Sequence, residues 1–290
     1  MFYRNYWELL LVDDEPDVLA VSRLALKNLK VYGAPLKIYE CKSKAEAIEF
    51  LKDPSTSPYI NLALIDVVME TDNAGLELCD FIRNELGNDQ TQLVVRTGQA
   101  GLAPEQEVTD KYDINAYVTK VEATEAKLYA IVKTALRQSL YARTNERLLN
   151  WSRFLAEAGT YDELLTICRM ALPAMTRDKS GNKLDSVEGH FAIVVDDDVV
   201  GDGRYESADA AKALRDELSD RPGKELNPQR DVFIRDGEKF MLKLTPHPKH
   251  KSDVSIVGEI NFDPAPDYWV RSFIEVMRVT RGLVSKMPKS

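Results

Sequence analysis

From Glu8 to about Thr124, short apolar runs ending in a polar or acidic residue alternate with stretches of helical spacing. This alternation constrains the fold more than any other feature. The runs are residues 8–13 (ELLLVD), 36–40 (LKIYE), the part of NLALIDVVM that ends at Asp66, 92–96 (QLVVR) and 116–119 (AYVT). They are short, continuous and rich in Val, Ile and Leu, which predicts strands buried on both faces. Between them, residues 17–30 carry Val18, Val21, Leu24, Ala25 and Leu29 at helical spacing. Further helices are predicted at about 43–52, from near Gly75, over 104–112 and from near Thr124. Five strands alternating with helices predict an α/β fold, a doubly wound five-stranded parallel sheet covered on both faces. Such sheets bind ligands outside the carboxyl ends of their strands.

Four positions fall at those predicted ends: the cluster Asp13–Asp14–Glu15, then Asp66, Thr97 and Lys120. Several carboxylates gathered in one place repel one another unless a cation joins them. A hard divalent ion with oxygen ligands meets that need, and Mg2+ is the natural choice. The same ion would neutralise a phosphoryl group on Asp66, Lys120 would pair with a second phosphoryl oxygen, and the Thr97 hydroxyl would bond a third. These residue types predict an aspartyl-phosphate site: a carboxylate nucleophile, a metal and charge stabilisation of the transferred group.

The motifs LLLVDDEP, ALIDVVM, VVRTG and AYVTK, in that order, resemble the receiver domain of bacterial two-component response regulators over about residues 8–137. The resemblance implies a flavodoxin-like fold with Asp66 as phosphoacceptor. Asp14 would bind Mg2+ directly, Asp13 would support it, and the backbone carbonyl of Val68 would complete the protein ligands. Thr97 would be the switch hydroxyl, Lys120 the phosphate-binding lysine and Tyr117 the aromatic that rotates with the switch. A histidine kinase or phosphotransfer protein would be the donor, and an effector protein the target. The shifted fourth and fifth helices, or the connecting helix, would form a homodimer.

Two departures stand out: Val121 replaces the usual proline after the lysine, and the loop from Asp66 to Gly75 is one residue longer than usual. Val68 offers no polar side chain to position a hydrolytic water, which implies a long-lived phosphoryl group. The wording of DVVMETDNAGLELCDFIRNEL, RTGQAGLAPEQEV and YDINAYVTK is similar to receivers that precede a GAF-like domain and often an HD-GYP cyclic-di-GMP phosphodiesterase domain. The 290 residues contain no His-Asp metal motif, GGDEF or EAL motif, so the expected role is a phosphoacceptor signalling protein rather than an enzyme. The alternatives are the regulatory half of such a phosphodiesterase, or a DNA-binding regulator.

The expected organisation is a receiver core over 1–123, a fifth and connecting helix over 124–158, and an α+β sensor-like or interaction domain over 159–290, GAF-like in character. From Thr124 to about Ala158 the spacing allows either two helices with a break near Arg143–Asn145 or one connecting helix. The later half predicts helices at 161–175, about 207–220 and about 267–286, with strands at 190–195, 232–234, 240–245 and 256–260. With 38 basic and 47 acidic residues the net charge is −9, which repels phosphate backbones and argues against nucleic-acid binding. The final helix carries Arg271, Arg278 and Arg281 near one face, a set more in keeping with solvation than with groove reading.

No apolar run reaches the roughly 18–20 residues of a membrane span, and an acidic triplet closes the first apolar stretch, so a cytoplasmic protein without signal peptide is expected. Three scattered cysteines (Cys41, Cys79, Cys168) argue against a disulfide framework. Cys41 and Cys79 are expected to pack as small hydrophobes. His190, His247 and His250 would bind metal only if they converged, and the stretch DDDVVGDG reads as a hairpin turn.

Overall fold

The structure, a computed structural model, describes residues 6–32, 34–53, 60–98, 105–120, 125–160, 162–163, 166, 189–201, 203–226, 231–245 and 253–260. The chain divides into two compact units, with the boundary after Arg143.

The first unit runs β1 (Trp7–Val12), α1 (Pro16–Leu26), β2 (Lys30–Val31), β3 (Ala34–Cys41), α2 (Lys44–Lys52), β4 (Leu62–Asp66), α3 (Ala74–Asp80), β5 (Gln92–Thr97), α4 (Glu105–Tyr112), β6 (Ala116–Thr119) and α5 (Glu125–Ala156). A five-residue π-helical turn, Phe81–Glu85, continues α3. The sheet order is β2-β3-β1-β4-β5-β6. Strands β3, β1, β4, β5 and β6 are parallel, with β1 registered to β4 through Leu9↔Leu62 and β4 to β5 through Asp66↔Arg96. The expected five-stranded parallel sheet is present, and β2 adds an antiparallel edge of two residues. A strand so short leaves no hydrophobic period to read, so it is invisible in sequence.

Burial explains the apolar strands. Leu10, Val12, Ala63, Ile65, Leu93 and Val95 join Leu51, Leu76, Leu78, Phe81, Ile82 and Val108 in one core on one face of the sheet. The alternate set Leu9, Leu11, Leu62, Leu64 and Val94 is equally buried and points the other way, as strand geometry requires. Each fully buried leucine contributes roughly 1.5–3 kcal/mol. Cys41 and Cys79 lie in this core as free thiols, as expected. Local signals start the helices: Pro16 occupies the first turn of α1, and the Ser43 side chain caps α2 by accepting from Glu46 N at 3.1 Å.

Between the two readings of the connecting region, one helix, α5, spans Glu125–Ala156 without a break. Its inner face, Leu128, Val132, Ala135 and Leu136, is buried. Polar ties hold it lower down: Asn61 Nδ2 donates to Ser139 Oγ at 3.3 Å, and Arg143 donates to the Ile60 carbonyl at 2.7 Å.

The second unit is antiparallel. Its described elements are β7 (Gly189–Val195), β8 (Asp198–Gly201), a 3-10 turn at Gly203–Glu206, α6 (Ala208–Ser219), β9 (Lys224–Glu225), β10 (Val232–Asp236), β11 (Lys239–Leu244) and β12 (Val254–Ile260). The sheet order is β8-β7-β12-β11-β10-β9. Ala211, Leu214 and Leu218 of α6 pack on Ala192, Val194, Ile234, Met241 and Val257. The stretch DDDVVGDG is a hairpin, as expected, turning at Asp196–Asp197 with Asp196 at φ 53°. Its second arm is a strand, β8. The expected helices at 161–175 and 267–286, Cys168, His247, His250, the arginines of the last helix and Val121 lie wholly or largely outside the described residues.

Candidate functional site

Parallel strands all point one way, so β1, β4, β5 and β6 end along a single edge of the sheet. Asp13 follows β1 directly, Asp66 is the last residue of β4, Thr97 is the last of β5, and Lys120 follows β6. Lys120 Nζ lies 2.9 Å from Asp66 Oδ2, 3.3 Å from Asp13 Oδ2 and 3.0 Å from Glu15 Oε1. Carboxylate oxygens of Asp13, Glu15 and Asp66 approach within 4.8 Å of one another. Asp13 is fully buried and Asp66 nearly so, while Glu15 is exposed.

Asp14, expected to hold the metal directly, is exposed and lies outside this trio, which Glu15 joins instead. The reason is backbone geometry. The chain bends at Asp14 between β1 and α1, and Glu15, extended at φ −88° and ψ 107°, brings its carboxylate back beside Asp13. Asp13 Oδ1 also accepts the Glu15 amide at 3.1 Å, which fixes the turn into α1. Thr97 is buried at the end of β5, paired in register with Thr119 and next to Arg96, the register partner of Asp66. Tyr117 is half-buried in β6, against the core. Val68 is half-buried, two residues past Asp66 on the turn after β4.

Gly75 makes the turn after β4 possible. Its amide donates to the Val67 carbonyl at 3.0 Å, and a Cβ there would sit 1.8 Å from the Asp66 carbonyl oxygen. Only glycine allows α3 to approach this closely.

One pocket residue escaped the sequence reading. Arg96 is only 4% exposed, its guanidinium reaching Asp13 Oδ2 at 3.3 Å and donating to Ser22 Oγ of α1 at 2.7 Å. A signal was available: a charged residue inside a parallel strand covered on both faces cannot be solvated and must pair internally. Beside it, a cleft of about 310 Å³ is lined by Val18, Val21, Ala25, Leu128, Arg96 and Lys120, among others.

Electrostatics follow from the packing. Burial pushes the Asp66 carboxyl above its usual range; the Lys120 hydrogen bond opposes the rise and the Asp13 charge adds to it. Burial works against the Lys120 ammonium, but hydrogen bonds to Asp66 and Glu15 outweigh it and raise its pKa above the ordinary lysine value. Burial lowers the Arg96 guanidinium from its usual value, against the pull of Asp13 and Asp66. Asp66 Oδ1 is buried and has no hydrogen-bond partner among the described residues. Three carboxylates against Lys120 and Arg96 leave one negative charge. An all-oxygen donor set with residual negative charge and an unpartnered carboxylate oxygen fits a hard divalent cation. His190 stands on β7 and is not a member of the described cluster of metal-binding side chains.

The strand order, with β3 and β4 flanking β1 and every parallel strand ending at this acidic edge, decides the class. The amino-terminal unit has the fold of a response-regulator receiver. No family model matches the chain. In its amino-terminal part it is 45% identical over 137 residues to the 3′3′-cGAMP-specific phosphodiesterase 2 of Vibrio cholerae serotype O1, an alignment covering 47% of this chain and 26% of that protein. The chain thus spans about a quarter of that relative's length.

Among solved structures, the signal receiver domain of an HD domain-containing protein from Pseudomonas fluorescens Pf-5 shares 18% identity, with 47% of this chain and 98% of that one covered, at TM-score 0.40. A response regulator receiver domain protein from Clostridium thermocellum shares 16% identity over 47% and 98% of the two chains, at TM-score 0.40. Among the described residues of the receiver unit and beyond it, no helix is long and apolar enough to cross a membrane.

Proposed function

We propose that the chain is a response regulator in which Asp66 accepts a phosphoryl group from a histidine kinase or phosphotransfer protein. The carrying observation is the Lys120 ammonium 2.9 Å from Asp66 Oδ2, while Asp66 Oδ1 stands unpartnered beside two further carboxylates. An Asp66 oxygen attacks the phosphorus of a phosphohistidine; the O–P bond forms as the P–N bond breaks, and the departing imidazole takes up a proton. Asp13, Glu15 and Asp66, with the Val68 carbonyl, would hold Mg2+, which offsets charge on the transferred group. Lys120 neutralises one phosphoryl oxygen, and the Thr97 hydroxyl donates to another. The new charge, about −1.5 to −2, draws Thr97 inward and lets Tyr117 repack. The change passes along α5 toward a carboxy-terminal sensor or interaction unit of GAF-like character. Pairing through α5 or the α4–α5 face would make a homodimer.

The test is incubation of the full chain with acetyl phosphate and MgCl2, read by intact mass. Wild type gains one phosphoryl mass and Asp66→Asn gains none. Lys120→Ala keeps part of the labelling but loses the accompanying change on size exclusion. Equal labelling of wild type and Asp66→Asn would remove the assignment.

The 45% identity to a cGAMP phosphodiesterase supports a second reading, in which this unit regulates a phosphodiesterase activity carried elsewhere. Under that reading, acetyl phosphate added to the chain together with such a catalytic domain changes the rate of 3′3′-cGAMP hydrolysis; an unchanged rate excludes it.

A further inference from the structure

Arg96 sits where a parallel β-strand normally offers an apolar side chain, and its charge is spent inside the acidic pocket. Asp13 Oδ1 is committed to the Glu15 amide, while Asp13 Oδ2 is shared by two cations, Arg96 at 3.3 Å and Lys120 at 3.3 Å. Asp13 therefore has no oxygen free of a protein partner, whereas Asp66 Oδ1 has none engaged among the described residues. A divalent ion entering the trio must take Asp13 Oδ2 from a guanidinium that is nearly fully buried and also tethered to Ser22 of α1.

We propose that Arg96 is a resident counter-cation of this pocket, a positioning residue that holds Asp13 in place and competes with the divalent ion for its Oδ2. The proposal rests on the reading of the pocket as a phosphoacceptor site and deepens it. Arg96 lowers the pocket's negative charge from two to one, so it weakens metal binding. Because its other contact is the Ser22 hydroxyl, metal entry loosens the tie between the pocket and α1, along the wall of the cleft formed by Val18, Val21 and Leu128. A purely structural arginine would make neither prediction.

The experiment is calorimetric titration of the full chain with Mg2+, and separately with Mn2+, comparing wild type with Arg96→Met, Arg96→Gln and Arg96→Lys. The two charge-free variants bind at least about fivefold more tightly, a lower bound that even the fully water-screened repulsion between unit charges about 4 Å apart supplies. Arg96→Lys stays near wild type. With Asp13→Asn in the background, the gain from Arg96→Met shrinks, since the shared ligand is gone. Equal or weaker binding in the charge-free variants overturns the proposal.

A measurement without substitution guards against variants that fail to fold. In wild type with 15N-labelled arginine, saturating Mg2+ shifts the Arg96 guanidinium signals as the Asp13 contact is exchanged, and unmoved signals overturn the competition. The labelling assay separates the two levels. If Asp66 takes the phosphoryl group and charge-free variants bind metal no better, only the role of Arg96 falls. If no form takes it, the phosphoacceptor reading falls, and the titration still reports on Arg96.

Discussion

The two units solve the problem of strand ends in opposite ways. In the receiver unit, parallel strands bring Asp13, Asp66, Thr97 and Lys120 to one edge, where burial forces the charges to share partners. In the second unit, antiparallel neighbours send their ends to opposite edges. Its described ion pairs are isolated couples near the surface, such as Arg204–Glu259 and Arg221–Asp236. Strand direction therefore decides whether a sheet of similar size concentrates chemistry or disperses it. Concentration costs stability, because buried charges need excellent geometry, and that geometry depends on backbone packing beneath them.

The largest expected effect comes from that packing. Gly75→Ala places a methyl 1.8 Å from the Asp66 carbonyl oxygen, and neither backbone can yield. Denaturant unfolding should show a loss of about 3 kcal/mol or more, together with weaker phosphoryl labelling. A near-neutral change would mean that α3 does not brace the pocket.

A middle-sized effect concerns the core shared by the pocket strands. Burial pushes the thiols of Cys41 and Cys79 up to about 12, so the folded state keeps protons that the unfolded chain releases from about pH 9. Stability from this source is complete below about pH 9 and declines as pH rises from there toward about 12. Replacing both residues by alanine should flatten that alkaline decline in thermal melts. In the native protein at pH 8, neither thiol should react with iodoacetamide.

The smallest effect belongs to the second unit. Arg204 donates to both Glu259 oxygens at 2.8 and 2.9 Å, yet its side chain is 65% exposed. Arg204→Ala should cost under about 1 kcal/mol, and the loss should fade in high salt. A cost several times larger would break the contrast between the units.

Much of the receiver unit was legible because a strand buried on both faces leaves a continuous apolar run. ELLLVD, the run ending at Asp66, and AYVT all read as β1, β4 and β6 within a residue or two. The second unit was harder. The strand β8 lies inside an acidic, glycine-bearing stretch that reads as turn, and β9 is two residues long. The π-helical turn after α3 has no sequence period of its own. Within the pocket, Asp66 and Lys120 were readable as strand-end residues. Arg96 was readable only as a charge that must pair internally, because one charge in an apolar strand does not say which neighbour compensates it.

The sequence by itself determined the alternation of strand and helix, hence a parallel sheet with its polar strand ends on one edge. That follows from hydrophobic period, a local property. Only the tertiary structure decided that Asp13 and Glu15, rather than Asp14, join Asp66, and that Arg96 enters the same pocket. Those outcomes depend on where the extended backbone turns into α1 and on the register of β5 beside β4. Both are set by long-range packing that no stretch of residues contains alone.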